Sequence, residues 1–189
     1  RVRVWADEVE ALDAGDEAAV WLGEVLGTSG LRLVHRAPDA AGLRRNEARF
    51  GPGAAVAFAD AAPLLVTSRS SLDALGDALD RRDRAPVPMD RFRPNLVLRG
   101  LRPFAEHGPT RLEGPGWVLR LVDPCERCVV PTIDQRTGEK DPDHEPYRTL
   151  VALNPMPGAP DRPAFGVNAV VEAGLGATVR VGDRATLRD

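Results

Sequence analysis

The chain has only two cysteines, Cys125 and Cys128, and both lie in one short segment between two apolar runs. A structural zinc site would need two further thiolate or imidazole ligands, and the three histidines show no paired spacing. A redox dithiol usually sits where a strand turns into a helix, whereas the β-rich run Val129–Thr132 follows here. Two interpretations stay open. One thiolate, favoured by the neighbouring Arg127, acts as a ligand for a soft metal centre or as a sulfur carrier, or both thiols are small buried apolar groups.

A second candidate is the segment Arg91–Leu98, in which Arg91 and Arg93 flank Phe92. Pro94 is expected to hold Arg93 in an extended conformation. Two guanidinium groups placed in this way offer planar, bidentate donors to a phosphate or a carboxylate. The alternative is that both arginines are solvated or paired with the many nearby carboxylates, an arrangement that contributes little energy at a surface.

Three isolated titratable residues complete the candidates. Asp60 lies in a turn between two apolar runs, where it either accepts hydrogen bonds from the amino groups of a ligand or completes an Asx-turn. His107 and His144 lie in polar segments and are of the type that titrates near neutral pH. Neither histidine is paired with a nucleophile in a recognisable pattern.

The composition restricts the classes of function. The chain has 189 residues, of which 43% are apolar and 28% are charged, and a formal net charge of -3. These values indicate a compact globular protein and disfavour nucleic acid as a non-specific partner. No run approaches the roughly 18 apolar residues that span a bilayer, and the first residues lack a secretory apolar region. We expect a cytoplasmic protein with no membrane partner.

The first third of the chain predicts a small set of elements. Residues 1–14 indicate one short strand and a turn. An amphipathic helix begins at Asp16 and ends at Gly27, which has the character of a C-terminal cap. Leu31–His35 is a predicted strand, and the polar, Arg-rich stretch Pro38–Gly53 is a predicted linker.

The next predicted elements surround the loop at Asp60. The apolar run Ala54–Ala59 precedes it and the strand Leu64–Thr67 follows it. A helix capped by Ser70 or Ser71 comes next, and it ends in a charged run before Pro86.

Beyond Met89 the sequence predicts short strands separated by turns. The strands are Asn95–Leu98, Trp117–Val122, Val129–Ile133, Val167–Val171 and Ala177–Val181. Two Pro-containing stretches, Asp134–Asp143 and Asn154–Pro163, are predicted to be long loops that shape the mouth of a site. Regularly spaced short strands favour a barrel or a sandwich.

Several motifs, taken together and in order, resemble one family, the MOSC domain, which is named after the C-terminal domain of molybdenum cofactor sulfurase. The motifs are Arg91–Asn95, Pro103–Glu106, Pro124–Cys128, Thr132–Asp134 with Thr137–Gly138, Glu145–Pro146 with Thr149–Leu150, Phe165–Asn168 and Val181–Asp183. The resemblance runs from about Ala54 to the C-terminus and is nearest to the amidoxime-reducing branch of the family.

The resemblance implies an α+β, mainly β fold: a β-barrel-like MOSC domain with a few peripheral helices over residues 51–189. Residues 1–50 would be the C-terminal part of a smaller β-rich domain that precedes it. The implied cofactor is molybdenum bound to molybdopterin. Cys128 would be the protein ligand of the metal and the catalytic residue. The residues expected to bind or face the cofactor are Arg93, Asp60, Asn95, Glu126 and Arg127.

The implied activity is the two-electron reduction of a small N-hydroxylated substrate at molybdenum. No four-cysteine iron–sulfur motif follows Val181–Asp183, so a separate electron-donor protein of the ferredoxin or flavoprotein type is expected. The Lys-Ser segment with which the family holds the cofactor phosphate would lie before Arg1. The alternative is a non-catalytic carrier of the cofactor that transfers sulfur through a persulfide on Cys128.

Overall fold

The computed structural model describes residues 1–36, 44–45, 47–51, 54–56 and 58–189. These residues form two compact units, Arg1–Ala61 and Ala62–Asp189. The domain boundary that the sequence places after residue 50 stays a prediction. Within the described ranges, no helix combines the length and apolarity that crossing a bilayer requires.

The described residues of the smaller unit include three antiparallel strand pairs. These are β1 (Val2–Val4) with β2 (Asp7–Val9), β3 (Ala11–Asp13) with β4 (Val34–Arg36), and β5 (Arg44–Arg45) with β6 (Ala55–Val56). The prediction of a single strand over residues 1–14 is therefore wrong. Trp5 adopts a positive φ of 57°, which turns the chain back on itself after three residues.

Two helices belong to the same unit. Helix α1 (Asp16–Leu26) ends at Gly27, whose φ of 61° is left-handed, and this confirms the predicted helix and its cap. In the described structure none of the α1 side chains is buried. Helix α2 (Glu47–Phe50) and strand β5 fall inside the predicted linker Pro38–Gly53, part of which lies outside the described residues.

The larger unit contains one seven-stranded sheet. Its strands are β7 (Leu64–Ser68), β8 (Leu96–Leu98), β9 (Arg111–Gly114), β10 (Trp117–Glu126), β11 (Pro155–Met156), β12 (Ala159–Ala173) and β13 (Thr186–Arg188). The order is β13-β9-β10-β12-β7-β8, and β11 pairs with β12. The β7–β8 pair is parallel and the other pairs are antiparallel. The sheet curls into a half-barrel, which confirms the mainly β, α+β fold.

Helices α3 (Arg69–Asp80) and α4 (Tyr147–Leu153) belong to this unit. Helix α3 was expected to be capped by Ser70 or Ser71, and this expectation is wrong by two or three residues. Ser68 has an extended backbone, and its Oγ accepts the Ser71 amide hydrogen at 3.1 Å. The cap is therefore the last residue of β7, so the strand passes directly into the helix.

Three further predictions beyond Met89 are corrected. Val129–Ile133 is not a strand, because Val130–Thr132 forms a 3₁₀ helix that has Pro131 in its first turn. Ala177–Val181 is irregular, and the last strand is β13. Asn154–Pro163 is largely the β11–β12 hairpin, in which Gly158 supplies the turn with a φ of 78°.

Two clusters of buried side chains form the core of the larger unit. One joins the strands through Val66, Leu112, Trp117, Leu119, Leu121, Val167 and Ala169. The other joins α3 and α4 to the sheet through Leu72, Leu75, Leu79, Phe92, Leu150 and Phe165. Gly166 lies between Phe165 and Val167, with a φ of 76°. A Cβ atom there would lie 2.7 Å from the Val66 carbonyl oxygen, so only glycine fits.

Candidate functional site

Phe92 is the point at which three separate segments meet. It ends the 3₁₀ helix Met89–Phe92 and is completely buried. Its ring stacks on Phe165 of β12, with 3.9 Å between centroids and 23° between planes. The Arg127 guanidinium lies 5.7 Å from the Phe92 centroid, and Arg127 Nη2 donates to the Phe92 carbonyl oxygen at 3.1 Å. We call this region, residues 89–93, 124–134 and 165, the motif corner.

Arg127 connects both sides of the motif corner. Besides Phe92, its Nη1 donates to Cys125 Sγ at 3.2 Å, and its amide donates to the Pro163 carbonyl oxygen at 2.9 Å. Its Nε is buried and has no acceptor among the described residues. The thiol that the guanidinium contacts is thus Cys125, two residues before it, and the side chain acts as an internal clamp.

The two cysteines have different environments, and both are free thiols. Cys125 is half-buried near the end of β10, where the β10–β12 register is irregular between Pro124 and Glu126. Cys128 is exposed, and its Sγ has no hydrogen-bond partner in the described part of the chain. The interpretation of both thiols as buried apolar groups therefore does not fit Cys128, whose sulfur is open to a ligand.

Arg91 and Arg93 also differ, although they are only two residues apart. The Arg91 side chain is 12% exposed; its Nη2 donates to Asp134 Oδ2 at 2.7 Å and its Nη1 to the Pro131 carbonyl oxygen at 3.2 Å. Of the two interpretations that the sequence leaves open, the structure supports pairing with a nearby carboxylate for Arg91, not presentation to an anion. The Pro131 carbonyl and the Asp134 carboxylate hold the Arg91 side chain inside the fold.

Arg93 is exposed, and its guanidinium makes no hydrogen bond or ion pair within the described residues. Its backbone is left-handed, with φ 54° and ψ 48°, and its amide donates to the Asp90 carbonyl oxygen at 3.0 Å. The predicted extended conformation before Pro94 is therefore wrong, because Arg93 closes the 3₁₀ turn. The guanidinium remains available to an anion.

The loop after the motif corner is a closed turn. Asp134 Oδ1 accepts the amides of Arg136 at 2.8 Å and Thr137 at 3.3 Å. These amides, the first above all, together with the Arg91 charge, lower the pKa of Asp134. A bridge between Ile133 and Lys140 closes the turn. The first residues of the predicted loop Asp134–Asp143 are thus held in place by these hydrogen bonds.

Glu126 and Asn95 have partners that the sequence did not predict. Glu126 is exposed and accepts hydrogen bonds from Arg162 Nη1 at 3.2 and 3.3 Å. Arg162 is 36 residues away in the sequence, so no local signal identifies it. Asn95 Oδ1 accepts the Leu65 amide at 2.8 Å, which ties the start of β8 to β7.

Asp60 belongs to the smaller unit. It is exposed, and its Oδ1 accepts a hydrogen bond from Trp5 Nε1 at 3.1 Å. The carboxylate is therefore at the surface of its unit and already accepts one N–H donor. An amino group of a ligand would offer Asp60 the same type of N–H donor.

The two other histidine candidates lie outside the motif corner. His144 is exposed. His107 is half-buried beside Glu106, which is completely buried and accepts a hydrogen bond from Ser71 Oγ at 2.8 Å. Burial lowers the pKa of His107, although the Glu106 charge and a hydrogen bond with the Gly166 backbone act in the opposite direction. His107 is therefore a half-buried histidine whose pKa lies below that of an exposed one.

The half-barrel and the conjunction of these motifs define the class of the protein: the chain belongs to the MOSC domain family, whose model matches residues 53–186. It is similar to mitochondrial amidoxime-reducing component 1 of Mus musculus, with 36% identity over 150 residues, or 78% of this chain and 43% of the relative. The human protein of the same name is 30% identical over 190 residues, or 97% of this chain and 54% of the relative.

A second group of relatives carries a different name. Molybdenum cofactor sulfurase 2 of Culex quinquefasciatus is 32% identical over 156 residues, which cover 79% of this chain and 20% of the relative. The chain thus spans about half the length of the amidoxime-reducing components and a fifth of the sulfurase.

Proposed function

We propose that this chain binds molybdenum–molybdopterin and, as part of an oxidoreductase, reduces N-hydroxylated compounds, with Cys128 as the protein ligand of the metal. The observation that carries the proposal is the position of Cys128. Its exposed thiol directly follows Arg127, which donates to the Phe92 carbonyl, and Arg93 directly follows Phe92. The hydrogen bond between Arg127 and Phe92 therefore joins the two segments that carry the exposed thiol of Cys128 and the guanidinium of Arg93, which is unpaired among the described residues.

The donor set of the motif corner fits such a cofactor. Among the described residues, no group of three or more His, Cys, Asp or Glu side chains is arranged to hold a metal ion. A bare ion would need such a group. A metal that arrives with the two sulfurs of its own pterin needs only one further soft ligand from the protein, and thiolate sulfur is suited to it.

The bound cofactor would supply the two electrons and the site of oxygen removal. The overall reaction is R–NHOH + 2 e⁻ + 2 H⁺ → R–NH₂ + H₂O. The residues of this chain would hold and orient the cofactor. Arg127 ties the residue before Cys128 to Phe92 and Pro163, and Arg93 offers a planar pair of donors to the cofactor phosphate. The electrons come from a separate electron-donor protein.

The other predicted residues have supporting roles in the proposal. Asp60 accepts from the amino edge of the pterin, since a carboxylate is an acceptor. Asn95 fixes the strand start that follows Arg93 through its bond to the Leu65 amide. Glu126, held by Arg162, contributes a carboxylate to the face on which Cys128 opens.

A second candidate function is a carrier that delivers sulfur through a persulfide on Cys128. The similarity to molybdenum cofactor sulfurases over 79% of this chain favours it, and so does the exposed sulfur. In this case Cys128 would hold a cyanide-releasable sulfur atom, and the protein would not turn over a substrate.

The two functions are separated by one experiment on the full-length protein, purified from cells that make the cofactor. We expect bound molybdenum, an extractable pterin and reduction of an aromatic amidoxime with an artificial electron donor. Activity should be absent in Cys128→Ser and retained in part in Cys125→Ser. Cyanide-releasable sulfur on Cys128 without any turnover would assign the carrier function instead.

A further inference from the structure

A large cleft opens in the larger unit between the two edge strands of the half-barrel, β8 and β13. Its volume is about 1230 Å³, which exceeds the roughly 300–1,000 Å³ of ordinary small-molecule pockets. Its wall is mainly apolar. The apolar side chains include Leu96, Leu98, Leu101, Leu112, Trp117 and Leu187.

The rim of the cleft is cationic. It carries four arginines and one acid, Asp183. Asp183 accepts the Arg180 amide at 2.8 Å, and Arg69 is paired with Asp73 outside the cleft. Arg99 and Arg184 make no hydrogen bond or ion pair with the residues that the structure describes. Two uncompensated guanidinium groups therefore border an apolar surface, which is complementary to a ligand with an apolar body and an anionic head.

Trp117 provides an independent observation. Its side chain lines the cleft and the residue is 5% exposed, yet its buried Nε1 has no acceptor among the described residues. A buried N–H group without an acceptor costs about 1–3 kcal/mol. The Trp117 ring, which lines the cleft, is placed to report on a ligand bound there.

The cleft adjoins the motif corner and shares one residue with it, Met89. Its lining includes neither Cys128, nor Arg93, nor Arg127. Asn95 lines it, but the Asn95 side chain is engaged with the Leu65 amide. A ligand in the cleft therefore does not occupy the position proposed for the molybdenum cofactor.

We propose that this cleft binds a long-chain fatty acid, with the acyl chain on the leucine wall and the carboxylate at Arg99 and Arg184. The volume of the cleft and its mainly apolar wall suit a long acyl chain better than a small polar metabolite. Each of the two unpaired guanidinium groups is able to offer the planar pair of donors that a carboxylate takes. The proposal is independent of the reaction at molybdenum.

The test uses the full chain with Trp5→Phe and Trp21→Phe, so that Trp117 is the sole tryptophan. Titration with tetradecanoate below its micellar concentration should change Trp117 emission saturably, with about one acid per chain. Arg99→Met and Arg184→Met should each weaken binding about tenfold. Arg81→Met, another exposed arginine that lies outside the cleft lining, is the matched control and should leave binding unchanged.

Three results would overturn the proposal. Equal affinity for tetradecanol would show apolar adsorption without head-group recognition. Sedimentation with phosphatidylserine vesicles, without binding of the free acid, would assign the arginines to a membrane surface. A dimer that dissociates on Leu98→Asp, in a protein that does not bind tetradecanoate, would assign the cleft to a second copy of the chain.

Discussion

The motif corner and the cleft are both rich in arginine and use it in opposite ways. In the motif corner, Arg91 and Arg127 are surrounded by acceptors and hold distant segments together. At the cleft, Arg99 and Arg184 have no partner in the described structure. The difference shows that the role of an arginine depends on the acceptors that the fold brings to it.

Arg93 is the exception that makes the comparison useful. It lies inside the motif corner but resembles the cleft arginines, because its guanidinium is exposed and unpaired among the described residues. If the hydrogen bonds that an arginine makes within the fold decide its role, substitution of Arg127 or Arg91 should lower the stability of the protein. Substitution of Arg93 should affect ligand binding alone.

The largest effect on stability is expected for Arg127→Met. It removes two hydrogen bonds of a charged group and leaves the carbonyl of the buried Phe92 without its donor, which should cost about 2–3 kcal/mol of the free energy of unfolding. Urea denaturation of both proteins measures this difference. Arg99→Met is the control from the cleft and should change stability by less than about 0.5 kcal/mol. Equal losses in the two variants would refute the contrast between the regions.

A smaller effect, of about 1.5 kcal/mol, is expected for Arg91→Met, since hydrogen bonds of a charged group to Asp134 and Pro131 are lost. Its content of molybdenum per folded chain should remain near that of the wild type. The measurement is urea denaturation together with metal analysis of the folded fraction. Loss of molybdenum without loss of stability would show that Arg91 contributes to cofactor binding and not to the stability of the fold.

His107 predicts a pH dependence outside both regions. Its folded-state pKa is lowered by burial, so below its ordinary value of about 6.5 the unfolded chain binds more protons than the folded chain. Stability should be complete above about pH 6.5 and fall with decreasing pH, by at most about 1.4 kcal/mol per pH unit. Denaturation at several pH values tests this, and His107→Gln should reduce the slope. An unchanged slope in the variant would assign the dependence to other groups.

The smallest effect on stability is expected for Arg93→Met, below about 0.5 kcal/mol, because the side chain is exposed and unpaired in the described structure. The same variant should retain less extractable pterin, since the phosphate loses a bidentate donor. Full retention of pterin by a stable variant would exclude Arg93 from cofactor binding.

Local signals in the sequence predicted much of the fold. The 3.6-residue period and Gly27 identified α1, and the apolar run Leu64–Thr67 identified β7, because both patterns are complete within one segment. The strand predicted at Val129–Ile133 was wrong because two local signals in this segment disagree. Its β-branched residues favour a strand, but Pro131 removes an amide hydrogen and starts a 3₁₀ turn.

The partners of the site residues could not be predicted in this way. Arg91 pairs with Asp134, which is 43 residues away in the sequence, and Glu126 pairs with Arg162, which is 36 residues away. Such pairs depend on how strands and turns pack. The family motifs predicted which segments matter, whereas the structure alone distinguishes the internal Arg91 from the exposed Arg93.

The central claim is that Cys128 is the protein ligand of molybdenum, and the molybdenum content per chain of the full-length protein tests it most directly. We predict that Cys128→Ser, purified under the same conditions as the wild type, retains almost no molybdenum, and that Cys125→Ser retains most of it. Equal retention in both variants, or loss in Cys125→Ser alone, would contradict the account.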